Sequence, residues 1–120
     1  MEIAMDLDGT LASYEGWRGI DHIGDPIPKM VDILMKHIEI GDNVTIFTSR
    51  VAGNDREESN DSRHNISKWL RKNNLPQLEI TAIKEKKFRL FYDDRGCSVL
   101  KNMGLISTIE FCREDYEVKE

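Results

Sequence analysis

The chain opens with a short, mostly apolar run, Glu2-Ile3-Ala4-Met5-Asp6, which reads as a strand ending near Asp6. Residues 12–27 are rich in glycine and show no period, so they are expected to form a loop. Pro28 suits a first helical turn; after it Met30, Val31, Ile33, Leu34, His37 and Ile38 recur at helical spacing, and Gly41 with Asn43 marks the stop. Val44, Thr45, Ile46 and Phe47 are β-branched or aromatic and predict a buried strand that delivers Thr48, Ser49 and Arg50 at its carboxyl end. A polar, turn-rich stretch over 53–60 precedes Ile66, Trp69 and Leu70, which predict a second helix ending by Asn74-Leu75-Pro76, with Trp69 in the core. Segments 78–84 and 86–94 read as two further strands and 104–111 as a fifth, with a short helix near 96–103. This alternation predicts an α/β fold: a single-domain, Rossmann-like three-layer α/β/α arrangement with a mainly parallel five-stranded sheet and ligands at the carboxyl ends of the strands.

Length changes this picture little. A chain of 120 residues fits one domain over 1–120 and can bury roughly two thirds of its surface without metal or disulfide staples. Its net charge of −5 supplies no global attraction for polyanions, which argues against nonspecific duplex binding. Cys97 and Cys112 stand apart without metal or redox spacing, as reduced structural thiols do. Strand-like sequence begins at Met1, and no apolar run approaches the roughly 18 residues of a membrane span. The expectation is a cytoplasmic protein, in the host cytoplasm if the gene is viral.

The chemistry lies where the strands end. Asp6 and Asp8 are two apart, so in an extended strand they face one side at roughly 6 to 7 Å. Their repulsion at an effective dielectric near 20 is about 3 kcal/mol, which a divalent cation between them would convert into attraction. Read alone, Asp6-Leu7-Asp8-Gly9-Thr10 is also what a strand followed by an Asp-rich turn looks like. Partners later in the chain add weight: Thr48 to Arg50, then Lys84, then Asp93 and Asp94, all at the expected carboxyl rim.

The ordered set of acid pair, hydroxyl, lysine and acid pair resembles the haloacid dehalogenase superfamily, with Asp6-Leu7-Asp8-Gly9-Thr10-Leu11 its most specific element. The resemblance implies that Asp6 is a nucleophile forming an aspartyl phosphate and that Asp8 is general acid and then base. It also implies Mg²⁺ held by Asp6, the Asp8 carbonyl and one acid of the Asp93-Asp94 pair, Asp94 being favoured and Asp93 orienting. Thr48 would then bind a phosphoryl oxygen, Lys84 would neutralise the developing charge, and Gly9 and Thr10 would shape the phosphate-facing turn. Lys86 and Lys87 are rivals for the lysine role, because little sequence separates Lys84 from Asp93. Thr48-Ser49-Arg50 together with Tyr92-Asp93-Asp94-Arg95 further resembles phage phosphatase domains of the polynucleotide kinase type. On that resemblance Arg50 grips phosphate with its planar fork; the alternative is an arginine paired with an acid, and Arg95 is expected to brace Asp93 or Asp94.

Neither gap between motifs has room for a cap domain, so the site is expected to be open, with residues 12–27 as the local flap. Within it Tyr14 and Trp17 can stack on a base, or Trp17 can anchor the loop to the core. The leading expectation is a Mg²⁺-dependent phosphomonoesterase acting on a small phosphorylated substrate, such as a nucleotide, or on a nucleic-acid end. The alternatives are a phosphoacceptor domain of the response-regulator receiver kind and a catalytically silent binding protein. A homodimer is compatible with a capless enzyme, although no stretch marks an interface.

Overall fold

Ile3, Ala4 and Met5 are all buried, so successive side chains of the first strand find apolar cover on both faces, as in the interior of a parallel sheet. The protein is described here by a computed structural model covering residues 1–107. Its elements are β1 (Glu2–Asp6), α1 (Pro28–Glu39), β2 (Asn43–Phe47), a 3₁₀ turn (Ser49–Val51), α2 (Arg56–Lys72), β3 (Ile80–Thr81) and β4 (Leu90–Tyr92). The four strands form one sheet in the order β3-β2-β1-β4. Every pairing in it is parallel, with Asp6 opposite Phe47, Met5 opposite Tyr92 and Phe47 opposite Thr81. All four carboxyl ends therefore lie on one rim.

Both helices contribute to one core. Leu34 of α1 and Ile66, Trp69 and Leu70 of α2 pack in the same cluster as Ile3, Met5, Val44 and Ile46. His37 adds a polar tie near the end of α1: one ring nitrogen lies 2.8 Å from an Asp42 carboxylate oxygen and the other 2.9 Å from the Tyr92 hydroxyl. That tie fixes β4, and so the residue after it, Asp93, against the helix.

Three details differ from the sequence reading. The second helix begins at Arg56, inside the stretch read as turn, because the Asp55 carboxylate caps it by accepting from the Glu58 amide at 3.1 Å. Glu57 and Glu58 in its first turn favour the positive end of the helix dipole. β3 is shorter than expected, since the Thr81 hydroxyl accepts from the Ile83 amide at 3.0 Å and turns the chain out of the sheet.

The third difference concerns the chain after β4. In place of a helix over 96–103 there is β5 (Val99–Leu100), followed by a turn and β6 (Leu105–Ile106), which pair antiparallel in a separate two-stranded ribbon. Asn102 at φ 64° and Gly104 at φ 67° reverse the chain there, a conformation no helix contains. Among the described residues the parallel sheet thus has four strands, and the remainder of the expected fifth, residues 108–111, lies outside the described residues together with Cys112. No helix of the described residues is long and apolar enough to cross a membrane.

Burial separates the two kinds of apolar residue. Leu70 is fully buried, whereas Ile106 in the ribbon is 46% exposed. Leu70→Ala is expected to cost about 2 to 5 kcal/mol in urea unfolding, and Ile106→Ser to change stability by less than about 0.5 kcal/mol.

Candidate active site

Parallel pairing of β1 with β2 and β4 brings Asp6, Thr48 and Asp93 to neighbouring positions on the rim. Carboxylate oxygens of Asp6, Asp93 and Asp94 all lie within 4.8 Å of one another, an all-oxygen donor set that could hold a metal ion. Such donors suit a hard cation, Mg²⁺ or Ca²⁺, and not the nitrogen and sulfur preference of zinc. Thr10 laces the acids together. Its hydroxyl lies 3.4 Å from an Asp6 oxygen and 3.3 Å from an Asp94 oxygen, and it accepts from the Asp94 amide at 3.1 Å. The Asp93 carboxylate accepts from the Arg95 amide at 2.8 Å, which fixes the turn after β4.

Gly9 makes this convergence possible. Its φ is +87°, and a Cβ placed there would sit 2.6 Å from an Asp94 carboxylate oxygen. Only glycine satisfies both demands.

The crowding has an electrostatic consequence. The Asp6 carboxyl is pushed up from its ordinary value to about 7, first by burial, then by a hydrogen bond shared with Asp94 and by the negative charges of Asp93 and Asp94, against a smaller pull from the Leu7 amide. A group so raised near the strand ends fits a divalent cation, whose charge favours the ionised form.

Asp8 behaves differently from the sequence expectation. β1 has ended at Asp6, so strand alternation no longer applies, and the Asp8 side chain turns from the triad to Arg50. Both Asp8 oxygens accept from the guanidinium, from Nε at 2.7 Å and from Nη2 at 2.9 Å. The negative charge of Asp8 is thus answered by an arginine. Arg50 correspondingly spends its fork on Asp8, the paired-acid alternative, instead of holding it open for phosphate.

Thr48 is buried, and its hydroxyl accepts from the Arg50 amide at 3.2 Å at the start of the 3₁₀ turn. A cleft of about 590 Å³ opens above these groups, lined by Asp6, Asp8, Thr48, Ser49, Arg50 and Trp17 together with Tyr14, Asp93, Asp94 and Arg95. Lys84 does not line it. Because the chain leaves the sheet after Thr81, Lys84 is exposed, and its ammonium lies 5.3 Å from the centre of the Phe91 ring, with no ion pair to Asp6. Lys87 reaches toward Glu2 and Glu79 at the opposite end of the strands. The Arg95 amide braces Asp93, and Arg95 is among the residues that line the cleft.

Residues 13–25 form a built wall. Ala12 pairs with Pro26, and the Ser13 amide donates to the Asp25 carbonyl at 2.8 Å, closing the base of the loop. From α2, Asn65 donates to the Ile20 carbonyl at 3.1 Å and Trp69 to the Gly24 carbonyl at 2.8 Å. Asn65 carried no signal in the sequence, since a lone amide on a helix face has no characteristic spacing. Trp17 is 56% exposed and covers Arg50, whose guanidinium carbon lies 4.8 Å from the ring centre. It is not a core anchor; Trp69 is the tryptophan that ties the loop down.

No protein-family model, curated protein or solved structure matches the chain, so the functional reading rests on this site.

Two outcomes follow from the triad. A carboxyl raised in the fold contributes stability that is present below its unfolded value of about 4 and is lost as pH rises through about 7. The stability advantage of metal-free wild type over Asp6→Asn is therefore expected to shrink between those values in pH-resolved thermal melts, and Mg²⁺ added above them should restore wild type alone. Gly9→Ala adds strain and displaces Asp94; calorimetry should show Mg²⁺ binding at least tenfold weaker, about 1.4 kcal/mol.

Proposed function

We propose that the protein is a Mg²⁺-dependent phosphomonoester hydrolase working through an aspartyl phosphate on Asp6, on a haloacid-dehalogenase-like, three-layer α/β core without a cap domain. The observation that carries this reading is the division of the rim into two unlike acid sets. One is a triad of converging carboxylates, Asp6, Asp93 and Asp94, and the other is a separate carboxylate, Asp8, held by Arg50. A metal site alone would not need the second; a two-stage phosphoryl transfer needs both.

In this scheme Asp6, Asp93 and Asp94 would hold a cation, which would supply charge neutralisation for the phosphoryl group. Asp6 attacks phosphorus in line, and the bond to the leaving oxygen breaks. Asp8 protonates that oxygen, then takes a proton from the water that attacks the Asp6-bound phosphorus. Thr48 and Ser49 line the cleft as hydrogen-bonding groups for the phosphoryl oxygens, and Arg95 supplies the positive charge that the resemblance assigned to Lys84.

The cleft is open on the side of Tyr14 and Trp17, and these exposed rings suit a substrate with a flat base, a nucleotide or the phosphorylated end of a nucleic acid. We place this activity in the cytoplasm. A homodimer would help to exclude water from so open a site.

Phosphate release should be measured with Mg²⁺ on aryl phosphate, nucleoside monophosphates and oligonucleotides bearing 3′ or 5′ phosphates. Asp6→Asn is expected to abolish release, Asp8→Asn to lower it about 100-fold or more, and chelation to stop it. A phosphorylated protein that persists for many minutes without turnover would instead mark a receiver-like phosphoacceptor.

A further inference from the structure

The Arg50 side chain is only 4% exposed, and its contacts account for nearly all of its donors. Besides the two bonds to Asp8, Nη2 donates to the His22 carbonyl at 2.8 Å and Nη1 lies 3.4 Å from the Ile20 carbonyl. A guanidinium has five N–H groups, so these four bonds leave one for anything else. Trp17 covers one face of the group at 4.8 Å. Arg50 is therefore built into the protein on every side but one.

This arrangement fixes where the Asp8 oxygens sit. Two bonds from one planar fork, itself held by the loop carbonyls, leave the carboxylate little freedom to turn. A carboxylate held in place is what the second half of the reaction requires. There a water oxygen bonds to phosphorus, the bond between phosphorus and the Asp6 oxygen breaks, the water proton passes to Asp8 and inorganic phosphate leaves.

We propose that Arg50 is a positioning residue that acts through Asp8, holding it as the base for hydrolysis of the aspartyl phosphate, and that the loop carbonyls and Trp17 hold Arg50 in turn. The proposal rests on the phosphatase reading. With a leaving group that departs without protonation it separates the two half-reactions: loss of Arg50 slows decay of the phosphorylated enzyme far more than its formation.

The test uses the whole protein with Mg²⁺ and p-nitrophenyl phosphate, whose leaving group departs without protonation. In rapid-quench measurements Arg50→Ala is expected to release nitrophenolate in a first-turnover burst close to one equivalent, and then to hold an aspartyl phosphate that decays about 100-fold more slowly than in wild type. Asp8→Asn should do the same, and the double variant should decay no more slowly than either, because one residue acts through the other. Millimolar guanidinium should speed decay in Arg50→Ala and leave the double variant unchanged. Where thermal melts show Arg50→Ala unfolded at the assay temperature, Arg50→Lys carries the same comparison, since its point charge cannot span both Asp8 oxygens.

Equal slowing of burst and decay, or additive slowing in the double variant, overturns the assignment while wild-type turnover leaves the phosphatase reading standing. Wild type that neither becomes phosphorylated nor releases phosphate overturns both.

Discussion

Parallel pairing of β1 with β4 is the constraint on which the site depends. With Met5 opposite Tyr92, the next residues of the two strands, Asp6 and Asp93, leave the sheet side by side whatever their charges. Chain connectivity then adds Asp94, and Thr10 and Gly9 close the space around it. The apolar core supplies the energy for this. Ile3, Met5 and Ile46 bury completely just beneath the rim, and their packing holds the carboxylates where mutual repulsion would otherwise spread them.

The rim handles its negative charge in two ways. Asp8 is neutralised within the protein by a fork that reaches it from the end of the neighbouring strand. Asp6 is left without such an answer and holds its proton to about 7. Crowded carboxylates cost stability, and this fold keeps three of them converging beside an acid that is paired with an arginine.

The parts of this arrangement legible in the sequence are those governed by strand periodicity and by the rule that parallel strands end on one rim. Asp6, Thr48, Asp93 and Asp94 were placed that way, and the structure brings them together. Asp8 shares the cleft with them, but it lies beyond the end of β1, so a turn, with its own geometry, decides where its side chain points. Lys84 was misplaced for a similar reason: the Thr81 hydroxyl turns a chain that apolar composition would have continued as strand. The start of α2 was recoverable, since Asp55 and Glu58 form a capping pair by spacing alone. Contacts of Asn65 and Trp69 with loop carbonyls were not, because a bond from a side chain to a distant backbone leaves no trace in residue order.

The narrow neck where Ala12 meets Pro26 has a consequence for how such a protein can change. A segment that enters and leaves through adjacent positions can be lengthened, shortened or exchanged without moving the sheet, as an inserted module. Residues 13–25 are thus the part of the chain in which new selectivity can arise by insertion and deletion while the acidic groups of the rim stay in place. The limit on that freedom is local: any replacement must still offer carbonyl groups where Ile20 and His22 now present theirs to Arg50.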